Sequence, residues 1–261
     1  MFRKAEDLKI ALVFAVLGVV AGAAVVPSLM ESLLKLLPEE EMRQVSMPLL
    51  MTVSSVQIGV MTLLTSWIGI KLARRTGLKL SIIEAFILRK GTVQWNGKWV
   101  LLSLLLGAAA GLLIVGMDKF VFANLYEAIR TNVPESSITG LAAGVLYGGI
   151  IEEVLLRLFL MSLLVWLLGK VFARLNKPIP SWIYVLSIIA AAVLFAVGHF
   201  PATVALFGEL SSTLVVRSFL LNGLAGIAFG YLYWKKGIEY SILSHTGLHV
   251  SMQLLFIPLF H

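Results

Sequence analysis

The sequence predicts an all-α, polytopic transmembrane helical bundle of about seven spans, with one or two amphipathic helices at the membrane surface. Three observations predict it. Of the 261 residues, 59% are hydrophobic and only 13% are charged, against about 25% charged in an ordinary soluble domain. The apolar residues fall in blocks long enough to cross the roughly 30 Å hydrocarbon layer, which takes about 20 helical residues. Lysine and arginine gather between alternate blocks, where they orient spans.

In chain order the blocks cover approximately 10–28, 47–71, 99–116, 140–169, 181–200, 213–233 and 237–259. The first follows Arg3 and Lys4, and it is expected to stay as an uncleaved helix rather than a signal peptide ending near Ala21–Ala24. Residues 79–90 lie between Arg74/Arg75 and Arg89/Lys90 and read as a short amphipathic helix on the membrane surface. Residues 118–135 mix Phe120, Phe122 and Tyr126 with Asp118, Lys119, Glu127 and Arg130, and are expected to do the same on the opposite side. Residues 1–136 would then form N-terminal spans with their connectors, and 137–261 a core that holds the chemistry.

Charge sets the orientation. With the N-terminus in the cytoplasm, fifteen Lys and Arg fall on that side against four on the other (Lys35, Arg43, Lys119 and Arg130), while Arg157 and Arg217 lie within spans. This bias predicts the N-terminus inside and the C-terminus outside. A net charge of +7 could also suit a nucleic-acid binder. No aromatic-basic stripe accompanies it, so the expected partner is the lipid bilayer and not nucleic acid. Cysteine is absent, which excludes disulfides and thiolate metal sites.

Small residues mark the faces that pack. Gly18 and Gly22, Gly107 and Gly111, and Gly226 and Gly230 are each four apart, and the fourth span carries Gly140, Gly144 and Gly148. Such ladders let helix backbones approach closely in lipid. One further step of four reaches Glu152, whose carboxylate is therefore expected to face other helices. Glu153 and Arg157 follow, one turn apart, and are expected to form a structural ion pair. Each ionisable residue at the centre of a span costs about 2.5–3.5 kcal/mol to insert, so three together call for a role.

Three histidines also lie in spans. His199 ends the fifth block, and His245 and His249, four apart in the last, share a helix face. His261 stands at the chain end, where no role is expected. A carboxylate and three imidazoles on three helices are the groups needed to bind a divalent metal or to activate water by general base catalysis.

The motifs Glu152-Glu153-x-x-x-Arg157, Phe195-x-x-x-His199 and His245-x-x-x-His249 resemble those of the type II CAAX prenyl endopeptidase and bacteriocin-processing family, known as CPBP or Abi. The resemblance covers roughly residues 140–255. It implies that Glu152 and His199 hold and activate the attacking water, directly or on a metal. His245 would be the third essential group, as a metal ligand or as part of an oxyanion site. The implied cofactor is a divalent metal, zinc by expectation, on Glu152, His199 and His245. At His249 the chain departs from the family, which more often has asparagine; a neutral imidazole can donate to an oxyanion as an amide does, or ligate metal.

The implied activity is that of an intramembrane metallo-endopeptidase in a prokaryotic plasma membrane. Its substrate would be a peptide or protein, lipidated or membrane-associated. Two other classes use the same residues: a proton- or metal-coupled transporter, and a non-catalytic scaffold or immunity protein. Against the transporter, no internal inverted repeat is seen. On the predicted topology the cluster lies central to the outer leaflet, whereas the family's prenyl proteases are understood to open towards the cytosol. A miscounted span, a helix break near Gly198 and Pro201, or an outward opening would each reconcile the two.

Overall fold

The computed structural model of the chain describes residues 2–34, 46–173 and 178–261. Lys35, Arg43, Arg174 and Lys177, used above for orientation, lie outside the described residues, as do the side chains of Arg3 and Lys4. Among the described residues all regular structure is helical. The helices are α1 (Phe2–Leu34), α2 (Met47–Thr76), α3 (Ser81–Leu88), α4 (Gly97–Leu125), α5 (Glu127–Thr131), α6 (Ile138–Ala173), α7 (Ser181–Phe207), α8 (Ser212–Lys235) and α9 (Ile238–Phe260). All but α3 and α5 are long and apolar enough to cross a membrane. The chain is an integral membrane protein.

Observed spans outrun their apolar blocks because helices continue past the first charge. The clearest case is α4, which runs on to Leu125. Residues 118–135 are therefore not one surface helix, as expected, but the end of a span followed by the five-residue α5. Asp118 lies on α4 because it has a partner: its carboxylate accepts from Arg217 Nε of α8 at 2.7 Å. This pair also accounts for an arginine inside the sixth span, since intramembrane charges persist where they are paired.

Two turns rest on backbone that favours glycine. Gly208, at φ 78°, closes α7, its N–H donating to the Val204 carbonyl at 2.8 Å. Gly237, at φ 128°, makes the tight passage from α8 to α9. Glycine enters both conformations without the steric penalty of a Cβ.

The long α6 is the hub. Its core side chains Val154, Leu158 and Met161 are fully buried with Ile10 of α1, Ile70 of α2 and Ile183 of α7. Leu158 meets the bare backbone of Gly69, where a Cβ would come within 2.6 Å of the Leu158 carbonyl oxygen. The ladders pack as expected. Gly18 and Gly22 of α1 lie on α2, Gly226 and Gly230 of α8 on α7, and Gly107 and Gly111 of α4 on α9. Helix α9 is thus gripped on a second side by Gly144, Gly148 and Gly149 of α6.

Contacts between helix ends define two faces of the bundle. On one, Arg74 of α2 pairs with Asp7 of α1 at 2.8 Å and with Glu84 of α3 at 2.7 Å, and Lys90 pairs with Glu6. On the other, Thr139 of α6 donates to Glu31 of α1 at 2.6 Å, and Tyr126 donates to Glu209 at 2.7 Å. The first face holds Lys9, Lys71, Arg74, Arg75, Lys79, Arg89, Lys90, Lys98, Lys170, Lys235 and Lys236; the second holds Lys119, Arg130 and Arg217, the last paired with Asp118. The two groups of helix ends that the charge pattern separates are also separate in space.

On the basic face, α3 is held by a residue from the other end of the sequence. Buried Glu239 Oε1 accepts the N–H groups of Ile82 and Ile83 at 2.7 and 2.9 Å, satisfying orphan donors of the first turn. Phe86 meanwhile stands 75% exposed on this surface helix. Glu239→Ala should lower stability by about 1–3 kcal/mol, the usual result of leaving buried donors unsatisfied. Thermal unfolding in detergent measures it, and an unchanged midpoint would remove Glu239 as the anchor of α3.

Candidate active site

A cavity of about 380 Å³ enters the bundle beside α6, lined by Gly140, Gly144, Tyr147, Gly148 and Glu152 of that helix. His199 and Phe195 of α7, Asn222 and Ala225 of α8, and His245, His249 and Gln253 of α9 complete most of its wall. All four sequence-predicted groups, Glu152, His199, His245 and His249, therefore face one space. The size is within the range of small-ligand and active-site pockets. Val25 and Ser28 of α1 and Ile114 of α4 also line it, so the first spans, which carry no motif, still shape the site.

Local structure explains the placement. Residues Gly144–Glu152 and Val154–Met161 of α6 wind in wider π-type turns, a form that recurs at functional sites. At His199 α7 breaks: His199 has φ −84° and ψ −9°, and the helix resumes at Phe200 with Pro201 in its first turn. Proline carries no N–H to continue the ladder and is tolerated at a helix start. The break expected near Gly198 and Pro201 thus falls on the histidine itself.

His245 is the most constrained group. Its side chain is only 4% exposed, stacked between Phe229 at 4.5 Å and His249 at 5.1 Å between ring centroids. Its Nδ1 lies 2.9 Å from Glu153 Oε1. A carboxylate can only accept, so Nδ1 carries the proton and the lone pair of a neutral ring resides on Nε2. That Nε2 lies 3.8 Å from Glu152 Oε2. The gap is too long for a direct hydrogen bond, and it is a separation that a water molecule bridges.

Glu153 does more than pair with Arg157. The two are 3.2 Å apart, and Glu153 also accepts from Ser241 and from His245. Arg157 Nη2 donates to the Gly226 carbonyl at 3.2 Å, and its guanidinium lies over Phe195 at 4.9 Å and Phe229 at 5.4 Å. The pair is thus the support of the His245 ring. The sequence motifs do not single out Ser241 or Phe229. Ser241, one turn before His245 on α9, could have been found by helical spacing; Phe229 carries no such signal.

His199 is held from its own helix. Its Nδ1 lies 2.8 Å from the Phe195 carbonyl, which leaves Nε2 as the free nitrogen of a neutral ring. Phe195 stands edge-on to it at 4.6 Å, so both residues of the Phe-x-x-x-His motif have visible work. His249 lies flat along the glycine ladder. A Cβ on Gly144 would fall 2.7 Å from its Nδ1, and its Nε2 is buried with no hydrogen-bond partner among the described residues. Ring size, not ring chemistry, explains why this stretch of α6 is glycine. His261 stays at the chain end, lining a separate surface pocket with Asp118 and Arg217.

Residues 134–251 match the family model described as type II CAAX prenyl endopeptidase Rce1-like. Over this segment the chain is similar to the Rce1-like family. No curated protein and no solved structure matches the chain. The Rce1-like segment begins just before α6 and ends on α9, so it spans every motif residue and excludes α1 and α4. As the side chains stand, no group of three or more His, Asp or Glu among the described residues is placed to hold a metal ion. Nδ1 of His245 is engaged by Glu153 and Nδ1 of His199 by Phe195, which leaves Nε2 of each ring as the nitrogen open to water or an ion.

Proposed function

We propose that the protein is an intramembrane endopeptidase in which Glu152 is the general base. One observation carries this reading: Glu152 Oε2 and His245 Nε2 face each other across 3.8 Å inside the cavity, with the far side of His245 locked to Glu153 at 2.9 Å. A water between them donates one proton to each. As its oxygen attacks the peptide carbonyl, Glu152 takes the proton, and the tetrahedral intermediate then collapses as Glu152 returns that proton to the leaving nitrogen. General base catalysis of this kind is worth about 10²–10⁴-fold.

Asn222 lines the same wall, and its amide N–H supplies a donor for the developing oxyanion, a type of stabilisation worth about 3–4 kcal/mol per well-placed donor. His199, its proton turned to the Phe195 carbonyl, offers the lone pair of Nε2 as an acceptor for water or a substrate N–H. The apolar wall of Phe195, Ala225 and Leu248 lowers the local dielectric and strengthens these interactions. The family match supports the reaction class; the residue roles rest on the geometry.

The test needs no prior substrate. Membranes from cells expressing the wild type or Glu152→Gln are compared by mass spectrometry of protein N-termini. New termini should appear only with the wild type. Identical termini in both would overturn the assignment and favour a transporter or scaffold. A divalent ion held by Glu152, His199 and His245 is the rival form of the same chemistry. With protein groups alone, exhaustive chelation should leave cleavage within twofold; loss on chelation and recovery with zinc would establish the ion.

A further inference from the structure

We infer that the catalytic cavity opens on the extracytoplasmic face of the membrane. Its substrates would then be exported peptides or the extracytoplasmic segments of membrane proteins. The sidedness stands on geometry and charge; the substrate class also rests on the endopeptidase reading above.

The helices α1, α4, α6 and α7 line the cavity with their halves nearest one face, and α8 and α9 add residues near their middles, Asn222, Ala225, His245 and Leu248 among them. From α1 comes Ser28, near its end; from α6, Gly140, near its start; from α9, Gln253, near its end. The mouth is knit by polar contacts of that face: Glu31 accepts from Thr139 at 2.6 Å and Ser137 at 3.1 Å, and the Gln253 amide oxygen accepts the Ser137 N–H at 3.0 Å. From the mouth, Glu152 lies 12 residues beyond Gly140, roughly 18 Å of helix. No residue from the opposite ends of the helices contributes to the lining.

That opposite face is the basic one. It carries eleven described Lys and Arg side chains against three at the cavity face, Lys119, Arg130 and the Asp118-paired Arg217. Short segments rich in Lys and Arg are retained in the cytoplasm. The cavity therefore faces away from it. A cytosolic C-terminal tail would meet only the closed, basic end of the bundle.

The chain has no native cysteine, so single cysteines report cleanly. Three are placed: Val133→Cys on the cavity face and Thr92→Cys on the basic face, both exposed, and Val25→Cys in the cavity wall. A membrane-impermeant maleimide applied to intact cells should label Val133→Cys and Val25→Cys at least tenfold more than Thr92→Cys. Permeabilisation should then bring Thr92→Cys up to their level. The reverse pattern, equal labelling of both faces, or a Val25→Cys that reacts only after permeabilisation would each overturn the inference. Failure of Glu152→Gln to change proteolysis would instead remove the enzyme reading while leaving the measured sidedness intact.

Discussion

Replacing Glu152 by Gln should lower turnover about 10²–10⁴-fold, the range of general base catalysis, with little change in thermal stability. The amide matches the carboxylate in shape but cannot take a proton. Among the described residues Glu152 makes no structural hydrogen bond; its nearest charged or basic neighbour is His245 at 3.8 Å. Its side chain remains 18% exposed to the cavity, so neutralising it leaves no buried partner stranded. The loss should appear in kcat and not in KM, measured on a cleavage site found by the N-terminal comparison. An active Glu152→Gln would transfer the role of base to an imidazole.

Its sequence neighbour should behave differently. Glu153→Ala is expected to destabilise the protein by about 3–5 kcal/mol, the usual consequence of removing one partner of a buried ion pair. Arg157 is 2% exposed and Glu153 is not exposed at all. Without Glu153, Nε and Nη1 of Arg157, which already lack hydrogen-bond partners among the described residues, would lose their counter-charge as well. His245 would lose the acceptor that fixes its proton on Nδ1. Both unfolding temperature and activity should fall together. Glu153→Gln, which keeps an acceptor, should recover part of the stability but little activity, because its neutral amide no longer opposes the charge of Arg157 and holds the His245 proton on Nδ1 less firmly than a carboxylate. A Glu153→Ala protein of unchanged midpoint would mean that the pair contributes nothing to the fold.

The contrast between two adjacent glutamates shows how far residue type and spacing carry. The motif Glu152-Glu153-x-x-x-Arg157 reads as one free acid and one ion pair, because Glu153 and Arg157 are a turn apart on any helix. Spacing also puts His245 and His249 on one face, and the glycine ladder directs Glu152 inward. None of this says which histidine nitrogen meets which carboxylate. Those contacts join α6 to α9, 92 positions apart for Glu153 and His245, and depend on the wide turns of α6 and on ring stacking against Phe229.

The sequence by itself determined the membrane architecture, the seven spans and the two groups of helix ends, because apolar length and Lys/Arg placement are local properties written residue by residue. It also placed the ionisable residues inside spans, where their insertion has to be offset. Only the tertiary structure decided that Glu153 supports His245, that residues 118–125 extend a span to pair Asp118 with Arg217, and that α1 and α4 wall the cavity. These are contacts between distant segments, set by how closely bare glycine backbones let helices approach and by which polar atoms can then find partners away from water. The cavity is of the same kind: six helices carry parts of its wall, and no one helix reveals it.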